Sequence, residues 1–359
     1  MAGGRPTAAG ASLQASTRQR NEASGRGSVI LAVETSCDDT CAAVVAGDGE
    51  IRSNVISSQG IHDRYGGVVP EVASRQHLEL ATPVVDDALA RAGITLDDVD
   101  LVAVTSGPGL VGALLVGVAT AKGLAASRGL PLAPVDHLQG HVAANFLHTD
   151  GEAPLEPPFL CLIASGGHTF LAHVTDHRSF TVLGQTLDDA AGEAIDTGAR
   201  LLGLPFPGGP HLERLAAGGD PDAFAFPRSK GVAGLDFSFA GLKTALLYKV
   251  RDLGEEGAAA RRADLAAAYQ HAIVEQLASR VERALDETGL DRLAIGGGVA
   301  ANGPLRERLS ALAPTVKVPP RALCTDNAAM IASAARWVEP VPFPRYLSLD
   351  VHATGERSL

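Results

Sequence analysis

Two stretches decide the fold: Leu31-Ala-Val-Glu-Thr-Ser-Cys-Asp-Asp-Thr-Cys-Ala-Ala-Val-Val45 and, later in the chain, Leu162-Ile-Ala-Ser-Gly-Gly-His-Thr-Phe-Leu-Ala-His-Val174. Each reads as an apolar strand, a short turn of small polar residues and a second apolar strand, so each predicts a β-hairpin. Recurrence of that plan within one chain marks a duplication. In both copies the turn offers closely spaced backbone N–H groups and little side-chain bulk, which lets a chain approach a phosphate. Around the hairpins short β-rich runs alternate with helical ones, predicting a layered α/β architecture with some parallel strands.

A chain of 359 residues has room for roughly two domains. Hydrophobic residues make up 46% and aromatics 4%, which predicts a globular protein with a largely aliphatic core. Thirty Lys and Arg stand against 41 Asp and Glu, a formal net charge of −11. Such a surface does not draw in a polyanion by its long-range field, so any nucleic acid needs a local basic patch or a partner protein. The cysteines Cys37, Cys41, Cys161 and Cys324 form no CxxC pair and are too few to staple a secreted scaffold, which fits a reducing cytoplasm. Residues 1–28 are rich in Ala, Gly, Ser and Arg without the apolar stretch of a secretory signal, and are expected to form a disordered tail. The apolar run from Leu101 to Ala126 is cut by Gly107-Pro108-Gly109 and contains Lys122. It predicts a buried strand, a glycine turn and a buried helix, with no membrane span.

Asp136-His137-Leu138-Gln139-Gly140-His141 places two imidazoles one helical turn apart, on one face, where both reach a single ion if a third ligand joins them. Leu138 stands where the HExxH peptidase helix carries its glutamate, so the water-activating base of that site is missing. Leu293-Ala-Ile-Gly-Gly-Gly298, followed by Asn302-Gly-Pro304, predicts a strand running into a glycine turn and then a helix. Its N–H groups suit an anion and its missing side chains leave room for a flat base, while Asn302 also suits a simple N-cap. Asp189, Glu193 and Asp196 are spaced to share one helical face, and the rigid loop Leu204–Pro210 behind them could turn Asp196 and Gly209 toward a ligand. Asp326, just before the helical run Ala328–Trp337, reads as an N-cap.

Taken in order, Glu34–Thr40, Gly66–His77, Thr105–Leu110, Asp136–His141, Ser165–Thr169, Asp188–Asp196, Pro207–Pro210, Gly296–Gly298 and Thr325–Met330 resemble the motif series of the TsaD family, the bacterial tRNA N6-adenosine threonylcarbamoyltransferases, once labelled O-sialoglycoprotein endopeptidases. The resemblance covers residues 29–345, and the number and order of the motifs make it highly specific. It implies two duplicated RNase H-like lobes of the actin/Hsp70/sugar-kinase (ASKHA) superfamily with a cleft between them. The first lobe would span 29–136, joined by the C-terminal segment 326–345, and the second 137–325.

The implied reaction moves the threonylcarbamoyl group from threonylcarbamoyl-AMP to the exocyclic amine of the adenosine 3′ of the anticodon in tRNAs reading ANN codons. Carried over residue by residue, His137, His141 and Asp326 match the family's ligands for one divalent metal, usually iron and sometimes zinc. Ala164, Ser165, Gly166, Gly167 and His168 match its substrate loop, and Asp196, Gly209 and Asn302 complete a site that ATP or ADP also fits. Family members often show Glu where this chain has Asp39, which leaves open whether Asp38 or Asp39 matters. To Asp38 we assign orienting the amine or taking its proton. The resemblance also implies action on tRNA in the cytoplasm, away from membranes, with a TsaB-like paralogue and a TsaE-like ATPase. Arg228, Lys230, Lys243, Lys249, Arg251, Arg261 and Arg262, the densest basic stretch, are the candidate tRNA edge. The main competing reading is an ATP-dependent small-molecule kinase of the same fold, which has no use for the imidazole pair. A metallopeptidase would lack its glutamate, and a non-catalytic scaffold would lack the metal ligands.

Overall fold

Val29–Glu34 (β1) is buried at every residue, as a strand covered on both faces must be. It pairs antiparallel with Asp39–Ala46 (β2), which pairs in turn with Ile51–Ser58 (β3). On its other side β1 runs parallel to Leu101–Gly107 (β4), itself parallel to Leu132–Asp136 (β5), giving the order β3-β2-β1-β4-β5. In the computed structural model the residues described are 27–65, 67–149, 153–228 and 231–353. Of the tail expected at 1–28, residues 1–26 lie outside them.

The second sheet repeats the first. Phe159–Ala164 (β6), Thr169–Val174 (β7) and Phe180–Gln185 (β8) form an antiparallel meander, and Arg292–Gly296 (β9) and Thr315–Lys317 (β10) add in parallel, in the order β10-β9-β6-β7-β8. The duplication read from the two hairpins is therefore present in the topology of both sheets. Each turn occupies the four residues between its strands, 35–38 and 165–168.

Helices cover the first sheet. Pro70–Ala92 (α1) starts with its proline in the first turn and stops at Gly93, whose φ of 67° takes the left-handed cap conformation. With Val111–Arg128 (α2) it buries Val84, Val85, Ala88, Val118 and Ala121 against Leu31, Val33, Val44 and Val104. The apolar run 101–126 thus forms the strand β4 and the helix α2 that were expected; α2 is long and apolar enough to cross a membrane by length and composition, and here it contributes to this core. His137–Ala143 (α3) follows β5 directly, its first turn capped by the Asp136 carboxylate accepting from the Leu138 and Gln139 amides. Around the second sheet lie Ala191–Leu201 (α4), Gly208–Ala216 (α5), Ala240–Ala260 (α6), Arg262–Thr288 (α7), Gly303–Ser310 (α8) and Arg321–Cys324 (α9), and its core adds Phe237, Phe239 and Tyr269 to aliphatic residues. Ala328–Ala335 (α10) closes the chain's return to the first sheet.

The chain divides into two compact units, residues 1–62, 68–154 and 326–359 in one and 63–67 and 155–325 in the other. The first unit takes in α3 and the segment from 326 onward. A Cβ on Gly140 would come within 2.7 Å of Ile331 Cδ1, so the glycine lets α3 lie directly on α10. Ser333 Oγ of α10 then donates to the Ala143 carbonyl at 2.7 Å, buried.

Candidate functional site

The contact of α3 with α10 brings the histidine pair to the late aspartate. His137 Nε2 lies 3.5 Å and His141 Nε2 3.3 Å from Asp326 Oδ1, and one ligand atom from each of the three residues falls within 4.8 Å of the others. The rings meet edge to face, centroids 4.7 Å apart, as i, i+4 spacing dictates. The capping role read for Asp326 belongs instead to Asn327, whose side chain accepts from the Met330 amide. Asp326 turns its carboxylate to the imidazoles.

The donor set passes a test for a divalent cation. Both ring nitrogens of His141 are buried without a hydrogen-bond partner, a costly state for an imidazole with no ligand to bind. His137 is aimed by a residue that sequence reasoning quoted only within a motif. Glu34, at the end of β1 and fully buried, holds His137 Nδ1 at 3.1 Å with one carboxylate oxygen. That oxygen also accepts from Thr105 Oγ1, and the other from the Ser36 amide. Fixing Nδ1 leaves Nε2 to face Asp326, the arrangement by which a carboxylate orients a metal-binding histidine. Two imidazoles and a carboxylate suit iron or zinc. Burial pushes the His137 pKa down, but the charges of Asp326 and Glu34 outweigh it and raise it to about 9. Burial likewise pushes Glu34 up, and the pairing with His137 brings its carboxyl below the usual range.

The turn after β1 carries Asp38 and Asp39. The Asp38 carbonyl accepts from the Gln59 amide at 3.2 Å, and Asp39 opens β2 opposite Ser58. Burial and the negative charges of Asp326, Asp38 and Glu34, opposed by a bond from Ser58, raise the Asp39 carboxyl to about 7. All four cysteines are free, and burial raises the thiols of Cys37, Cys41, Cys161 and Cys324.

In the second unit the corresponding turn is built differently. The Ser165 amide donates to the His168 carbonyl at 2.8 Å, and Ser165 Oγ accepts from the His168 amide at 3.0 Å. Ala164 is buried at its base, while Gly166 and Gly167 are exposed and a Cβ on either would meet no protein atom within 4 Å. Gly297, at φ 85°, sits so close to the Ala164 carbonyl that no side chain fits, packing the glycine triplet against the base of this turn. The Gly192 amide of α4 donates to the Ser165 carbonyl at 3.0 Å.

The remaining expected residues serve the fold around that turn. Asp196 accepts from the Gly208 amide at 2.7 Å and also from Gly209, fixing the start of α5; burial nonetheless leaves its carboxyl above the usual range. Asp189 precedes α4, so it does not share the helical face with Glu193 and Asp196; it pairs with Lys243 at 2.6 Å. Asn302 caps α8 through the Leu305 amide, and its amide nitrogen donates to Glu213 and Gln270. In the basic stretch, Lys243 is held by Asp189 and Glu193, Arg262 donates to the Leu202 and Gly203 carbonyls, and Arg261 pairs with Asp264. Lys230 lies outside the described residues.

Comparison with known proteins gives the family. The family model TsaD, tRNA N6-adenosine threonylcarbamoyltransferase, matches residues 50–333. The chain belongs to the TsaD family. A tRNA N6-adenosine threonylcarbamoyltransferase of Clostridium perfringens (strain SM101) is 51% identical over 314 residues, 86% of this chain and 91% of the relative. One of Clostridium botulinum (strain 657) is 48% identical over 336 residues, 92% and 97% of the two chains. This chain is accordingly an enzyme with tRNA N6-adenosine threonylcarbamoyltransferase activity. Among solved structures, HypF of T. kodakarensis aligns with a TM-score of 0.58 at 15% identity over 86% of this chain and 48% of its own. Component A of the Acidaminococcus fermentans (R)-2-hydroxyglutaryl-CoA dehydratase aligns at 0.51 and 15%, over 87% and 96%. These two show the fold alone.

Proposed function

We propose that the chain takes the threonylcarbamoyl group from threonylcarbamoyl-AMP and places it on the exocyclic amine of the adenosine 3′ of the anticodon, in tRNAs reading ANN codons, with a divalent metal held by His137, His141 and Asp326. The observation that carries this reading is the buried His141 imidazole, with no hydrogen-bond partner on either nitrogen and Asp326 3.3 Å away. In the reaction the amine nitrogen attacks the carbamoyl carbon, the bond from that carbon to the phosphate oxygen breaks, AMP leaves with the electron pair, and the amine gives up a proton.

The backbone N–H groups of Gly166 and Gly167, in a turn braced by the Ser165 and His168 hydrogen bonds and based on Ala164, hold the phosphate. The glycines Gly296–Gly298 leave space for adenine, while Asp196, through Gly208 and Gly209, and Asn302, through the start of α8, keep the flanking backbone in place. Glu34 keeps His137 aimed. Asp38 orients the amine or takes its proton. Iron is the expected metal and zinc the alternative; when bound, the ion supplies Lewis-acid withdrawal of charge from the carbamoyl oxygen. Positioning of donor and amine does the rest.

A chain with a formal charge of −11 holds tRNA weakly by itself. It acts in a cytoplasmic complex with a TsaB-like paralogue and a TsaE-like ATPase, and ATP or ADP occupies the nucleotide site between turnovers. Reconstitution with threonine, bicarbonate, ATP, the threonylcarbamoyl-AMP synthase, the two partners and tRNA, followed by mass analysis of nucleosides, tests the reading. Modified adenosine should appear, and vanish when this chain is left out. ATP turnover on a small substrate without modified tRNA would favour the kinase reading. Unchanged transfer from supplied threonylcarbamoyl-AMP by Asp38→Asn would remove Asp38 from its role.

A further inference from the structure

The first unit contains a second pair of buried histidines that the mechanism does not use. His62 and His77 are fully buried, Gln59 lies between them almost as deeply, and Thr40 beside His77 is buried too. They form one chain of hydrogen bonds whose direction is set at both ends. The Val69 amide can only donate, so His62 Nδ1 accepts at 3.3 Å, and His62 Nε2 carries the hydrogen it gives to Gln59 Oε1 at 3.0 Å. That orients the carboxamide, whose Nε2 donates to the Ala73 carbonyl at 3.3 Å and faces His77 Nδ1 at 3.4 Å. Thr40 Oγ1 lies 2.8 Å from the same nitrogen. At the far end His77 Nε2 meets the Cys37 carbonyl at 3.0 Å, and a carbonyl only accepts. Both imidazoles are therefore neutral and carry hydrogen on Nε2. Burial, which lowers the His77 pKa, favours the same neutral form.

The chain ends on the turn that bears Asp38. Two successive carbonyls of that turn are taken, Cys37 by the His77 ring and Asp38 by the Gln59 backbone amide at 3.2 Å. Apolar side chains would fill the same volume without the desolvation cost of two rings and a carboxamide, so the polar groups specify the position of the turn more than they add stability.

We propose that His77, supported by Gln59 and His62, is a positioning residue for threonylcarbamoyl transfer: by holding the Cys37 carbonyl it fixes the backbone from which Asp38 meets the adenosine amine. This rests on the role given to Asp38 above. His77→Gln keeps a donor at the reach of Nε2. His77→Asn is too short to make the bond, and both keep an amide in the pocket.

With the full chain in the reconstituted complex, His77→Asn should lower kcat about ten- to a hundredfold, the scale of a small misplacement at a reacting centre. KM for tRNA and for threonylcarbamoyl-AMP should stay within twofold, and His77→Gln should recover most of the rate. A merely structural role would lower Tm in both variants and leave their kcat values alike, and that outcome overturns the inference. So does a folded His77→Asn with wild-type kcat. In an Asp38→Asn background the His77→Asn loss should disappear, and a loss of undiminished size would show that His77 does not act through Asp38. Nitrogen NMR of the histidine-labelled wild-type chain at pH 7 reads the relay independently of Asp38. It should show His62 and His77 as neutral Nε2–H tautomers, and a protonated ring or the Nδ1–H form at either contradicts the relay. If Asp38→Asn proves fully active while the tautomers are as stated, the reading of Asp38 has failed and the relay itself stands.

Discussion

The turn after β1 and the turn after β6 hold the same place in two sheets of one topology, yet they differ in the charge around them. The first carries Asp38 and is flanked by Glu34 and Asp39, its backbone carbonyls are tied to Gln59 and His77, and the Glu34 carboxylate holds His137. The second has two exposed glycines with open space above them, no carboxylate in the turn, and a Ser165 hydroxyl that accepts from the His168 amide. The duplicated frame repeats the turn, and what differs is its setting: carboxylates and a buried imidazole pair belong to the first unit, exposed glycines to the second turn. Stability does not require the difference, since each unit has its own core.

The comparison breaks most visibly at the cation. His141→Ala or Asp326→Ala should abolish stoichiometric metal in the purified chain and lower tRNA modification by roughly a thousandfold, the scale of losing an electrostatic group aimed at a transition state. Metal content by mass spectrometry and nucleoside analysis check it. Next is the anion turn. Gly166→Asp gives the second turn the charge of the first, and should raise KM for threonylcarbamoyl-AMP by about a hundredfold while metal content stays at the wild-type level. Loss of metal in that variant, or an unchanged KM, would show that the two turns are not specialised as described. Glu34→Gln keeps size but weakens the hold on His137 Nδ1, and should weaken metal binding about ten- to a hundredfold in a competition titration with a chelator.

The smallest effect concerns Asp39. Its folded pKa of about 7 stands above the ordinary 3.8, so the folded chain retains a proton that the unfolded chain releases. Stability therefore falls as pH rises through the window from about 4 to 7. In chelator-treated protein Asp39→Asn should remove part of that slope and raise Tm at pH 8 by a few degrees, with little change at pH 4. Equal Tm values at both pH values would mean that the Asp39 carboxyl is not perturbed.

Much of this was legible in the residues. The two hairpins announced the duplication because alternating apolar runs around a small-residue turn admit few other structures. His137 and His141 were legible as a pair because helical spacing is local. Their meeting with Asp326 was not, as it depends on Gly140 admitting Ile331 and on a chain return of nearly two hundred residues, contacts that no local pattern encodes; the family resemblance supplied what spacing could not. Glu34 was hidden because a carboxylate ending an apolar strand looks like a surface residue until the fold shows it buried against His137. Asp189, Glu193 and Asp196 were grouped on one face because their spacing is helical, but α4 begins only at Ala191.

The direct test of the central contrast is X-ray absorption at the iron edge of the iron-loaded full-length chain, with His141→Ala alongside. Two imidazole nitrogens and a carboxylate oxygen in the wild-type shell, with one imidazole lost in the variant, are the predicted result. Iron bound with no imidazole in its shell, or a spectrum unmoved by the substitution, would contradict the assignment of the first turn's neighbourhood to a cation.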